Sequence, residues 1–288
     1  MYHNSSHTVD TDNSFKTIRT NQLYTKKTWD DVVKNNGGWN DGCVNINVKY
    51  KDSCPFFLKK DKNSSQNGEE GIIDAIFDKI GFTNKKCVDL GAWDGKHLSN
   101  TYFLRKKYEF DRLLVEGCNN KKIHADCNDE KLTYALISSN NINTLLNDMP
   151  DKFDFLSIDI DGDDYWVLNA LKKKARMVVL EYASGVPNFL PLVCKEGFGT
   201  VQSFTGKPVL NGYYGANMLA FGRLMKKKGY AFVTSLSDNM FFVDEDEFHK
   251  LGIEPISEKD MIDKYYNASG YWGETNRDRY NNEWLIFE

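Results

Sequence analysis

The sequence predicts an α/β fold: a mainly parallel seven-stranded sheet that ends in an antiparallel hairpin and carries helices on both faces. Three observations predict it. From residue 64 onward, short apolar runs alternate with stretches of helical spacing, and such alternation builds parallel sheets because each crossover needs its own connection, usually a helix. The last two runs, near 230–235 and 239–243, are joined only by a short SLSD turn, which suits an antiparallel hairpin and not a crossover. Glycines and acids gather where apolar runs end, and open α/β sheets bind ligands at those strand ends.

Taken in order, residues 1–15 are polar and read as frayed. TWDDVVKNNGGW (28–39) reads as a short helix, with Thr28 as N-cap, acids in the first turn and Gly37 as the stop. VNINVKY (44–50) reads as a strand, followed by a loop around Pro55. In SSQNGEEGIIDAIFDKIG (64–81), polar caps and early acids precede Ile72, Ile73, Ile76, Phe77 and Ile80 at helical spacing, and Gly81 ends the helix. Strands follow near 86–90, 112–116, 133–137, 154–160 and 177–182, before the hairpin. Helices are expected at 98–107, 119–125, 141–148, 164–173 and 215–228. The chain divides into an N-terminal extension with a short helix (1–63, a candidate lid), the sheet-bearing domain (64–245) and a C-terminal flank packing on it (246–288).

Composition narrows the partners. Across 288 residues, 37 Lys and Arg face 41 Asp and Glu, a formal charge of −4 with no long basic block. A nucleic-acid partner would leave a stronger basic footprint and is not expected. No run of 18 apolar residues could span a membrane. The first 15 residues lack the apolar core of a secretory signal. Six cysteines form no CxxC pair, so reduced, buried thiols in a cytoplasmic chain are expected, and a zinc site is not.

The stretch CVDLGAWDGKHLSNT (87–101) carries the first chemistry. An apolar strand runs into Gly91, and small residues there let a ligand approach the backbone beside a helix N-terminus. A dinucleotide fold prefers GxGxxG, whereas this loop reads G-A-W-D-G. Asp94 would repel a pyrophosphate but suits a cationic amine or sulfonium, which favours S-adenosylmethionine over NAD. LLVEG (113–117) ends a second strand on Glu116, 25 residues beyond Gly91, where a carboxylate accepts from both ribose hydroxyls. The plain alternative for GAWDG is an ordinary strand–helix turn.

With these residues the chain resembles the class I S-adenosylmethionine-dependent methyltransferases, a Rossmann-like family. It is most similar to the FkbM-type branch and its relatives, many of which O-methylate sugars or natural products. The resemblance runs from about 64 to 245. It rests on SSQNGEEGII, VDLGAWDGKHLSNTYFL, LLVEG, FDFLSIDIDGDDYWVLNAL, VVLEYA, YYGANMLAFGRLMKKKGY and NMFFVDEDEF. It implies that Gly91, Asp94 and Gly95 bind the methionine part of the cofactor, that Glu116 binds the ribose and that Gln66 closes over the pocket. Asp159, at a strand tip, is assigned to the cofactor as well. The segment after Glu116 is short, leaving Ser138 or Asp126 for the adenine. Related sequences often carry serine after YxGA, where this chain has Asn217.

The densest acidic stretch is SIDIDGDD (157–164). Asp159 and Asp161, two apart on a strand, face one side at its carboxyl end, and Asp163 and Asp164 open the next helix. Like charges this close raise carboxylate pKa values unless a cation neutralises them. The stretch reads as a Mg²⁺ or other divalent-cation site involving Asp161 and Asp164, as a metal-free base at Asp161 or Asp159 that takes a hydroxyl proton, or as plain helix capping. The spacing excludes an EF-hand. Glu181, closing VVLEY, is expected in the same cleft, and His97 is a further candidate base. Tyr213, Tyr214 and Asn217 are expected at the substrate rim, and Trp93 and Trp166 in the cleft wall or core. The expected activity is O-methylation of a hydroxyl on a sugar, glycan or related small molecule. The alternatives are a cofactor-binding scaffold without turnover and methylation of nucleic acid or protein.

Overall fold

The computed structural model describes residues 16–19, 56, 64–117, 131–184, 186, 188, 190–197, 214–265 and 283–287. In chain order the strands are β1 (Lys16–Arg19), β2 (Lys86–Leu90), β3 (Asp111–Glu116), β4 (Leu132–Tyr134), β5 (Lys152–Ile158), β6 (Lys174–Glu181), β7 (Leu192–Val193), β8 (Tyr230–Leu236), β9 (Asn239–Asp244) and β10 (Glu283–Ile286). The helices used below are α1 (Glu69–Ile80), α2 (Tyr102–Tyr108), α3 (Ile142–Leu145), α4 (Asp164–Ala170), α5 (Met218–Lys227) and α6 (Glu245–Phe248). The expected helices 28–39 and 119–125 and the strand 44–50 lie outside the described residues.

Seven strands form one sheet in the order β4-β3-β2-β5-β6-β9-β8. The first five pair in parallel, and β9 pairs antiparallel with both β6 and β8. The order reverses between β2 and β5, so their carboxyl ends flank the switch point where such sheets bind ligands. Strands covered on both faces are apolar throughout, and β5 is buried from Phe153 to Ile158. Helix α1 packs with all five of its expected apolar residues buried. Its Glu70 carboxylate accepts from the Ser64 and Ser65 amides at 2.6 and 3.0 Å, which holds the preceding loop.

Several expected elements are shorter than their patterns. Helix 141–148 stops at Leu145, because the Asn147 and Met149 amides turn to carbonyls only three residues back and Pro150 follows. Helix 215–228 begins only at Met218, capped by Asn217. The strand expected at 154–160 ends at Ile158, so Asp159 and Asp161 lie in the loop beyond it. A second sheet, β1-β10-β7, joins the two flanks of the chain. Lys16 pairs with Ile286 and Arg19 with Glu283, and Trp284 is buried with Ala183, Leu192 and Cys194. Among the described residues, no helix is long and apolar enough to cross a membrane.

Candidate functional site

A cavity of about 480 Å³ opens at the carboxyl ends of the parallel strands. Its centre is the close approach of the β2 and β5 ends. The Asp159 amide donates to Leu90 O at 2.9 Å, and Gly91 has φ +85°. A Cβ there would overlap the Asp159 carbonyl oxygen and stand 2.7 Å from its carbonyl carbon, so only glycine fits. On the β3 side, Glu116 lines the cavity and accepts from the Trp93 amide at 2.7 Å. That bond holds Trp93 in the left-handed region at φ +48°. Leu98 and Asp161, also on the cavity wall, have φ of +58° and +56°. Non-glycine residues adopt that region at a cost, and such outliers gather at functional sites.

The floor holds a carboxylate triad. Asp159, Asp161 and Glu181 each offer an oxygen, and these atoms lie within 4.8 Å of one another. Asp159 and Asp161 are open to the cavity, but the surrounding protein displaces much of their water. For Asp159, that desolvation is reinforced by Asp164 and Asp161 and raises its pKa. For Glu181, desolvation comes first and the Asp159 charge second, and its pKa lies well above the usual carboxylate range. A side-chain hydrogen bond between Glu181 and Asp159 lowers Asp159 and raises Glu181. Burial also raises Asp161.

Not every expected residue points at the cavity. Gln66, Gly91, His97, Glu116, Asp159, Asp161 and Glu181 line it. Asp94 does not: it is 3% exposed, and its carboxylate turns back into its own loop, accepting from the Lys96 and His97 amides at 2.8 and 2.7 Å and contacting the His97 ring. The Gly95 carbonyl accepts from the Arg105 guanidinium. Asp164 accepts from the Ile160 and Gly162 amides at 2.8 and 2.9 Å and so shapes the loop that carries Asp161. Burial pushes Asp164 up to about 6. Asn217 is fully buried as the α5 N-cap; it accepts from the Ala220 and Leu192 amides and donates to Leu190 O, leaving nothing for a substrate rim. Tyr214 is half-buried against Ala183 and Leu192. Tyr213 and Asp126 lie outside the described residues. Ser138 bonds Asn141, and its neighbours Leu136 and Ile137 line the cavity instead.

Sequence reasoning missed Asp89, Ser99, Asn100 and Ser157, all on the cavity wall. Asp89 accepts from the Ser99 and Thr101 hydroxyls at 2.9 and 2.8 Å, and burial raises its pKa. Asn100 donates to the Ser157 hydroxyl at 3.2 Å. The available signal was an acid inside the otherwise apolar run VDL, followed ten residues later by SNT.

Neither a scan against protein-family models nor a search of curated proteins finds a match. Among solved structures, the chain is similar to the CurJ carbon methyltransferase at 10% identity and a TM-score of 0.37, over 60% of this chain and 52% of that one. It is also similar to an S-adenosylmethionine-dependent methyltransferase from Clostridium acetobutylicum ATCC 824, at 8% identity and 0.35, over 59% and 87%. A SAM-dependent methyltransferase from Archaeoglobus fulgidus gives 12% identity and 0.33, over 76% and 93%. The chain spans about half the length of the first of these. Strand order alone carries the fold assignment made above.

Proposed function

We propose that this chain is an S-adenosylmethionine-dependent O-methyltransferase acting on a hydroxyl of a sugar, glycan or related small molecule. One observation carries the reading. Gly91 at the β2 tip and Glu116 at the β3 tip border one cavity at the switch point, with a carboxylate triad on its floor. The donor set fits the cofactor: Glu116 accepts from ribose hydroxyls, Gly91 and Ala92 admit the nucleoside close to the backbone, and Leu136 and Ile137 offer an apolar wall for the base. Asp89 and Asp159 face the positively charged end, a role that Asp94, turned into its own loop, leaves to them. Gln66 closes the cavity from the α1 side.

When bound, S-adenosylmethionine supplies an electrophilic methyl group on a sulfonium. Methyl transfer breaks the C–S bond, forms a C–O bond and releases the acceptor's hydroxyl proton. Asp161, which is open to the cavity, takes that proton. Most of the acceleration is then alignment of the acceptor oxygen behind the methyl group, with proton removal adding to it. His97, on the cavity wall and held by Asp94, orients the acceptor. The carboxylates that converge as a candidate cation site are Asp159, Asp161 and Glu181, whereas Asp164 turns both oxygens to backbone amides of its own loop. Calorimetric titration with S-adenosylmethionine and its demethylated product tests the reading. Binding in the micromolar range is expected, and none at millimolar cofactor would sink it. Methyl transfer to a panel of sugar hydroxyls then separates an enzyme from a binding module.

A further inference from the structure

The cavity carries more negative charge than the proposed cofactor can balance. Asp89, Glu116, Asp159, Asp161 and Glu181 line it, and among the described residues no Lys or Arg does. S-adenosylmethionine brings a sulfonium and an ammonium against one carboxylate, a single net positive charge. What remains is strongly acidic, in a cleft whose protein walls focus the field.

An independent feature also asks for a ligand that donates hydrogen bonds. Asn100 is 8% exposed and lines the cavity. Its Nδ2 is engaged by Ser157, while its Oδ1 has no donor among the described residues. Buried acceptors are rarely left unpaired, so such an orphan marks the place of a missing N–H or O–H group.

Resting on the methyltransferase reading, we propose that the acceptor carries a protonated amine beside the hydroxyl it presents for methylation, as an amino alcohol or amino sugar does. Glu181, the triad member that neither the cofactor nor the hydroxyl claims, holds the ammonium, while Asp161 serves the hydroxyl and Asp159 stays with the cofactor. The same field repels sugar phosphates and nucleotide-activated sugars.

The test uses the full chain saturated with S-adenosylhomocysteine. It is titrated calorimetrically at pH 7 with ethanolamine, serinol and glucosamine, each beside its N-acetyl counterpart, and with glucose 6-phosphate. At least one amine is expected to bind about tenfold or more tightly than its N-acetyl form, the range of a hydrogen bond to a charged group. Glucose 6-phosphate should bind most weakly. Glu181→Gln should reduce the preference to less than about threefold while S-adenosylhomocysteine still binds, which shows that the variant is folded. Equal binding of amines and amides, or no binding of either, overturns the proposal. So does a parallel titration in which Mg²⁺ or Mn²⁺ binds more tightly than every amine and loses that affinity in Glu181→Gln, because the triad is then a metal site. If S-adenosylhomocysteine itself fails to bind, the methyltransferase reading falls and takes this proposal with it.

Discussion

Gly91 and Asp159 meet backbone to backbone: a Cβ on the glycine would overlap the Asp159 carbonyl oxygen. This contact brings the glycine side of the cavity, on β2, against its acidic side, on β5. Gly91→Ala must therefore part the two strand ends as well as adopt φ +85°. We expect a loss of about 3 kcal/mol or more, from left-handed backbone plus overpacking, read from urea unfolding. Gly252→Ala is the control. Gly252 has φ +66° with nothing within 4 Å of an added Cβ, so only the conformational cost of about 1 kcal/mol applies. Equal losses at the two sites would mean that the strand contact is unimportant.

Glu116 accepts from the Trp93 amide, and the proposed function gives it the ribose as well. Glu116→Gln keeps a neutral acceptor, whereas Glu116→Ala removes it. Affinity for S-adenosylhomocysteine should fall about tenfold in the first and about a hundredfold in the second, as expected for one and then more hydrogen bonds to a charged group. Calorimetry checks this. Unchanged affinity in Glu116→Ala would remove the ribose assignment.

The Asp159–Glu181 pair predicts a pH dependence with a definite sign. Both carboxyls are raised in the folded protein, so the native state binds more protons than the unfolded chain above the ordinary carboxylate value of about 4. Stability from this pair is therefore fully present below about pH 4 and is lost as pH rises through the elevated folded values. Asp164, raised to about 6, adds to the same slope. Glu181→Gln removes one of the crowded charges. It should stabilise the protein by about 1 kcal/mol at pH 8 and by nothing measurable at pH 4, whereas Asp161→Asn, which removes the proposed base, should lower methyl transfer at least about a hundredfold. Thermal unfolding across pH reads the first effect and initial rates the second. Destabilisation at pH 8 would show that the pair is not strained by shared charge.

The sheet was legible because strands covered on both faces read as unbroken apolar runs, and the SLSD turn could only close a hairpin. Glu116 was legible for the same reason: an acid at the end of LLV has nowhere to go but the strand tip. Asp94 was misread because sequence shows that a loop carries an acid and not which way it turns. Short acids favour the amides two and three residues ahead, and the amides of Lys96 and His97 take this one. Asn217 carried a readable N-cap signal ahead of MLAF, which outweighs the substrate role. Asp89 and Asn100 were hidden because their partners, Thr101 and Ser157, are brought together only by folding. The β1–β10 pair joins four-residue strands from opposite ends of the chain, a separation that no local pattern encodes.

The last prediction concerns the other end of the sheet, where stability can be separated from function. Arg176 near the start of β6 is 2% exposed. Its guanidinium donates to Glu247 on α6 at 2.6 and 2.7 Å, to Asp154 on β5 at 2.9 Å, and to the last carbonyls of α1 at Ile80 and Gly81. Asp154 also accepts from the Thr83, Asn84 and Lys85 amides. The Arg176 bonds hold Glu247 down at about 2. At Asp154, burial alone would raise the carboxyl, but the bonds from Thr83 and Arg176 outweigh it and the net shift is downward. Depressed carboxyls contribute stability above their unfolded pKa and lose it as pH falls through the folded value, the opposite sign to the triad. Arg176→Met leaves Asp154 without its cation and Glu247 with Lys250 alone, and should cost about 3–5 kcal/mol at pH 7. Because Asp154 and Glu247 lose the part of their depression that Arg176 supplies, that cost should shrink steadily below about pH 4. Affinity for S-adenosylhomocysteine, measured below the unfolding transition, should stay within about twofold, since none of these groups borders the cavity. A large loss of cofactor affinity with intact folding would mean that this network positions the site, and a pH-independent cost would mean that it acts by packing instead of charge.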